Sequence, residues 1–122
     1  MNNKKFDVEV SVSDLVIRIG IPAHLKGFKY IRTAIILVME DVSYIGKMME
    51  RLYPRVAEIH GGTSQQVERS IRSAIDVAWY RGGENAIVEL IGGNYGKPTN
   101  SELIAIAAER LKLQKRIYES ED

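Results

Sequence analysis

The sequence predicts an all-α fold, a compact bundle of about six helices, on three observations. Apolar residues recur three and four positions apart, the period of a helix with one buried stripe. Thr63-Ser64-Gln65-Gln66 and Thr99-Asn100-Ser101-Glu102 each hold a threonine followed three residues later by Gln or Glu, the pattern of a capping box that opens a helix. Glycine and proline fall between the apolar segments, and no stretch reads as a hairpin.

Each element follows from its own signals. Residues 1–11 are polar with a weak alternation (Phe6, Val8, Val10) and are expected to form a disordered or weakly ordered tail. Ser11 or Ser13 is placed to cap a first helix through Leu15, Val16 and Ile19, which Gly20 and Pro22 end. The most apolar helix is expected from about Phe28 to Asp41, at the centre of the bundle, with Ile31, Ala34, Ile35, Val38 and Met39 inward. Ser43 to Arg51 reads as a short helix with Ile45, Met48 and Met49 inward. Pro54 suits the first turn of the next helix, where its missing N–H is harmless, and that helix carries Val56, Ala57 and Ile59 up to Gly61-Gly62. The helix opened by Thr63 runs to about Tyr80 on a stripe of Val67, Ile71, Ala74, Ile75 and Ala78. A short helix over Asn85–Ile91 precedes a loop from Gly92 to Pro98. The box at Thr99 starts a last helix with Leu103, Ile104, Ala107 and Leu111 inward, and residues 117–122 are expected to be a loose tail.

A chain of 122 residues fits one domain, assigned to residues 12–116. A hydrophobic share of 45% supplies one core, and a charged share of 27% with a formal net charge of +1 argues against disorder. The absence of cysteine removes a disulfide scaffold, a thiolate zinc site and a thiol nucleophile together. The longest apolar run, Ala34 to Met39, is far short of the ~20 residues that cross a bilayer. No apolar segment follows the basic N-terminus as it would in a signal peptide, so a cytoplasmic protein without a membrane partner is expected.

The arrangement that carries function lies at residues 52–80: a helix, a short Gly-containing turn and a longer helix, the plan of a helix-turn-helix. Ala57 supplies the small residue where the two helices cross, Gly61 tolerates the positive φ of the turn, and Val67 is the apolar anchor of the second helix. At 100° per residue, Gln65, Gln66, Arg69, Arg72, Ser73 and Asp76 lie opposite the apolar stripe, with Glu68 on its flank. Arg, Gln and Glu are side chains that read base edges, so Gln65, Gln66, Glu68, Arg69 and Ser73 are the candidate base contacts, made from the N-terminal half of a helix in the major groove. Lys97 with Thr99 is a candidate DNA-backbone contact, because a helix N-terminus beside a lysine suits phosphate, and Thr63 and Ser64 at the start of the second helix are candidates of the same kind. The plainer alternative for every one of them is a solvated helix face. Leu15 to Met39 contains no acid but holds Arg18, Lys26, Lys29 and Arg32, and Arg110, Lys112, Lys115 and Arg116 form a second basic cluster.

The sequence resembles the C-terminal effector domain of the sporulation response regulator family called stage zero sporulation protein A. Four stretches carry the likeness: Ile19-Gly20-Ile21-Pro22-Ala23-His24-Leu25-Lys26-Gly27, Leu52-Tyr53-Pro54, Val67-Glu68-Arg69-Ser70-Ile71-Arg72 with Ala78-Trp79, and Lys97-Pro98-Thr99-Asn100-Ser101-Glu102. The match runs from about residue 12 to 113. It implies a bacterial six-helix domain that binds short double-stranded promoter elements, often as two tandem copies arranged head to tail, and that contacts RNA polymerase. It implies Glu68 and Arg69 on bases, Arg72 at or near the backbone, and the turn from Lys97 to Asn100 on phosphate. Where the resemblance implies an Arg that reads guanine this chain has Gln66, which prefers adenine, and where it implies a His it has Ser73, so an altered element or a lower affinity is expected. Residues 1–11 are too few for a phosphoacceptor receiver domain, so the expectation is either a fragment of a longer protein or a stand-alone protein without that phosphorylation switch.

Two other readings compete. An enzyme would need a metal spacing, a phosphate-binding glycine loop or a nucleophile–base pair. None of these is visible, and His24 and His60 read as structural or solvent-facing. No metal, cofactor or small-molecule substrate is therefore expected. A protein-interaction module that keeps the fold, has lost specific DNA binding and modulates a full-length relative or RNA polymerase is the alternative that Gln66 and Ser73 keep open. Trp79 and Tyr80 are expected to pack in the core rather than to stack on bases.

Overall fold

The computed structural model describes residues 5–93 and 96–121. Among them are six α-helices and no strand: α1 (Val8–Arg18), α2 (Lys26–Glu40), α3 (Tyr53–His60), α4 (Ser64–Ala78), α5 (Glu84–Ile91) and α6 (Asn100–Ser120). A 3₁₀ stretch, Val42–Lys47, and a π-helical turn, Met48–Leu52, link α2 to α3, and a second π turn, Trp79–Gly83, links α4 to α5.

The most apolar segment is the centre of the molecule: α2 packs against α1, α3, α4 and α6. Its Ile31, Ala34, Ile35 and Val38 are buried together with Val12 and Val16 of α1, Val56 of α3, the stripe of α4, and Leu103, Ile104, Ala107 and Leu111 of α6. No charged side chain is buried among the described residues, so the core carries no cost of desolvating a charge.

One close approach sets how α4 sits on α2. Gly27, in the first turn of α2, faces the middle of α4. A Cβ there would stand 2.4 Å from the Ser70 carbonyl oxygen and 2.6 Å from the Ala74 Cβ. Only a residue without a side chain lets the two backbones come this near.

Several boundaries differ from those the sequence predicts. The first helix starts at Val8 rather than at the serines, because the Asp7 carboxylate accepts from the Val10 N–H at 3.0 Å and caps it. The expected tail over residues 1–11 is thereby helical from Val8 onward, while residues 1–4 lie outside the described residues. The last helix continues to Ser120, through most of the expected C-terminal tail, and Tyr118 meets Phe6 edge to face with ring centroids 5.7 Å apart. Asp122, and Asn94 and Tyr95 of the expected 92–98 loop, lie outside the described residues. The segment after α2 is not a regular helix, since Asp41 bonds the Ser43 N–H and hydroxyl and tightens the chain into a 3₁₀ stretch. Met49 (48% exposed) faces outward, while Ile45 and Met48 pack against the core as expected; Ile59 (45%) lies on the outer side of α3. Tyr80 is also outside, at 73% exposure, because the π turn after Ala78 rotates it off the stripe; Trp79 stays packed on the core.

Candidate nucleic-acid interface

Gly61, Gly62 and Thr63 join α3 to α4. The two glycines turn the chain with φ of 89° and 96°, a region costly for any residue with a side chain. The turn is tied to α2 from behind. The Tyr30 hydroxyl donates to the Gly61 carbonyl at 3.4 Å, and His60 Nε2 lies 2.6 Å from the Thr33 hydroxyl. Burial, with Lys29 and Arg32 nearby, lowers the His60 pKa and keeps its imidazole neutral at this junction. His24 is exposed.

Thr63 then opens α4 with a complete capping box. Its hydroxyl accepts from the Gln66 N–H at 3.1 Å, and the Gln66 side-chain oxygen accepts from the Thr63 N–H at 2.9 Å. Val67, Ile71, Ala74, Ile75 and Ala78 are all buried, so the opposite side of the helix faces solvent. Gln65, Gln66, Arg69, Arg72 and Ser73 are exposed on that side, and Ser64 and Glu68 are half-buried at its edges.

The N-terminus of α6 flanks α4 on the Glu68 side. Thr99 caps α6 with its own box, bonding the Glu102 N–H at 3.1 Å while the Glu102 carboxylate accepts from the Thr99 N–H at 2.9 Å. Asn100 ties the two helices together. Its amide nitrogen donates to the Glu68 carbonyl oxygen at 3.1 Å and to the Tyr53 hydroxyl at 3.2 Å, with the Glu68 carboxylate at 3.5 Å. Burial raises the Tyr53 pKa, so the phenol that Asn100 meets is neutral. The Glu68 carboxylate grips Arg72 with both oxygens, at 3.0 and 3.3 Å. Lys97 forms an ion pair with Asp76 and stands 5.4 Å from the Tyr80 ring centroid. These partners raise the pKa of both cations, by hydrogen bonding first and by charge second, and both stay charged.

The expected site residues therefore fall into two groups. Glu68, Arg72, Lys97, Thr99 and Asn100 line one groove between α4 and the start of α6. Gln65, Gln66, Arg69 and Ser73 stand on the outer ridge of α4, with Thr63 and Ser64 at its N-terminal end. Arg69 makes no ion pair among the described residues, whereas the charges of Arg72 and Lys97 are each met by an acid. The pairing of Tyr53 with Asn100 and of Asp76 with Lys97 was not legible in the sequence. Both contacts join residues far apart in the chain, and no local spacing signals them. The Glu68–Arg72 pair, four residues apart on one helix, could have been read from spacing.

A bundle that presents a polar, arginine-bearing helix across a tight glycine turn has the form of an all-α DNA-binding domain of a transcription regulator. The family described as "Sporulation initiation factor Spo0A C terminal" matches residues 12–111, and the chain belongs to that family. It is a family of DNA-binding effector domains of a sporulation regulator, not a class of enzymes. Among the described residues no helix is long and apolar enough to cross a membrane.

Proposed function

We propose that this domain is a sequence-specific DNA-binding regulator of transcription, with α3 and α4 as its helix-turn-helix and the N-terminal half of α4 inserted in the major groove of a promoter element. The observation that carries this reading is the outer ridge of α4. Its side chains are those that bond base edges, they are exposed, and the helix beneath them is seated on a fully buried stripe. Arg69 is the principal base reader, with Gln65, Gln66, Glu68 and Ser73 around it. Thr63, Ser64, Arg72, Lys97, Thr99 and Asn100 face the sugar-phosphate backbone.

The pairing of Arg72 and Lys97 with acids is compatible with that role. Both pairs are exposed at the surface, where an ion pair stabilises little, and a phosphate oxygen can take the place of the carboxylate. One reading helix covers few base pairs, which favours two copies on tandem sites. Contact with RNA polymerase and residence on the nucleoid in the cytoplasm follow from the same reading.

The test is a fluorescence-anisotropy titration on a duplex carrying a promoter element of the family and on a scrambled duplex, at several salt concentrations, with wild type and Arg69→Ala. Selective binding that Arg69→Ala weakens by ~1–3 kcal/mol is the expected result. Failure to bind either duplex would refute the reading and favour the interaction module of the same fold.

A further inference from the structure

We infer that Gln66 meets DNA as a hydrogen-bond donor only, so that the base it faces is selected for a major-groove acceptor and cytosine is rejected. The inference rests on the reading that α4 enters the major groove, and it replaces the adenine preference that the residue type alone suggests.

A carboxamide offers one oxygen with two lone pairs as acceptor and one NH2 group as donor. In this chain the oxygen is turned back onto the helix end, where one of its two lone pairs is taken. Gln66 Oε1 accepts from the Thr63 N–H at 2.9 Å, closing the capping box, while the Gln66 backbone N–H is held by the Thr63 hydroxyl at 3.1 Å. The N–H groups of a first helical turn have no partner within the helix, so the oxygen satisfies a donor that would otherwise need water. Gly62 makes this return possible. A Cβ at that position would stand 2.9 Å from Gln66 Oε1, and the residue sits at φ 96°. With the oxygen turned back over the helix end, the NH2 group is the part of the exposed side chain left to meet a ligand.

A Gln–adenine pair of the usual kind is bidentate: the oxygen accepts from adenine N6 while the nitrogen donates to N7. Here that geometry requires Oε1 to turn outward from the helix end, or to serve the Thr63 N–H and the base at once. The NH2 group alone can donate to guanine O6 or N7, thymine O4, or adenine N7. Cytosine presents its N4 amine to the groove, and donor then faces donor. The expected pattern at one position of the element is tolerance of A, G and T with exclusion of C, in place of a single preferred base.

The experiment is an anisotropy competition series in which each base pair beneath α4 is changed to all four alternatives, with wild type, Gln66→Ala and Gln66→Glu. Gln66→Glu keeps an acceptor for the Thr63 N–H, as Glu102 does in the second box, and replaces the donor with a carboxylate oxygen. Wild type should show one position at which C binds about tenfold more weakly than A, G and T, which stay within about threefold of one another. Gln66→Ala should flatten that position, and Gln66→Glu should make C the best base there while the melting temperature stays near that of wild type. An adenine preference of about tenfold over both G and T at that position would overturn the inference, since it requires the bidentate contact. Equal behaviour of wild type and both variants at every position, with Arg69-dependent selectivity intact, would overturn it alone. A wild type that binds element and scrambled duplexes alike would remove the groove reading and this inference together.

Discussion

Replacing Gly27 by alanine tests how α4 is seated on α2. The added Cβ would lie 2.4 Å from the Ser70 carbonyl oxygen and 2.6 Å from the Ala74 Cβ. One neighbour is backbone and the other is fixed to it, so no rotamer change relieves the contact and the two helices must separate. Forcing a methyl group into a packed interior costs about 1–3 kcal/mol, and the rigidity of these neighbours places Gly27→Ala toward the upper end. Alanine in place of a helical glycine returns about 1 kcal/mol, which leaves a net loss of about 1–2 kcal/mol. For a domain of this length that corresponds to a fall in Tm of about 4–8 °C. Gly46→Ala is the matched control. Nothing lies within 4 Å of its Cβ position and its φ is not positive, so Gly46→Ala should be neutral or should raise Tm slightly by restricting the unfolded chain. Thermal melting followed by circular dichroism reads both variants. A Gly27→Ala protein as stable as wild type would refute the argument that close backbone approach fixes the pose of α4.

Two further variants probe the surroundings of α4. Asn100→Ala leaves the buried Tyr53 hydroxyl without its donor and unties α6 from the Glu68 carbonyl, and should cost about 1–2 kcal/mol in urea denaturation. Tyr53→Phe should cost less because Asn100 keeps its bond to Glu68, and the double variant should be less damaging than the sum of the two; simple additivity would contradict the coupling. His60 supplies a pH dependence. Folding lowers its pKa, so below the ordinary value of about 6.5 the unfolded chain binds a proton that the folded chain does not. Its contribution is complete above that value and is lost as pH falls toward the folded pKa. Between pH 7.5 and 5.5 the urea midpoint of wild type should therefore drop further than that of His60→Gln, and equal drops would contradict the assignment.

What was legible in the sequence is what short-range chemistry determines. The capping boxes at Thr63 and Thr99 depend only on residues three apart, and both form as their residue types require. The stripe of α4 and the glycine turn before it were equally readable, because burial at helical spacing and positive φ each leave a local mark. The start of α1 was not. The alternation of Phe6, Val8 and Val10 looks like a weak strand, yet Asp7 caps a helix there, with Val8 against the core and Val10 62% exposed. The extension of α6 was hidden for a different reason. Its last turns are polar on most sides, and Tyr118 gains its contact from Phe6 at the far end of the chain. In the candidate interface, residue types on α4 pointed to its solvent-facing side, but not to how the groups there are already engaged. The bonds from Asn100 to Tyr53 and Glu68, and from Lys97 to Asp76, exist only once α6 is docked. The capping box itself was visible in the sequence, whereas its consequence for the free end of Gln66 needed the orientation of the carboxamide.

The central claim is that the outer ridge of α4 and the start of α6 form the DNA-binding face, and an amide chemical-shift map tests it most directly. The ¹⁵N-labelled domain would be titrated with an element duplex and then with the scrambled one. The account predicts that the largest shifts specific to the element fall between Thr63 and Ser73, with smaller shifts that both duplexes produce at Lys97 to Asn100. Shifts concentrated instead on α1, α5 or the C-terminal half of α6, with α4 unchanged, would contradict it.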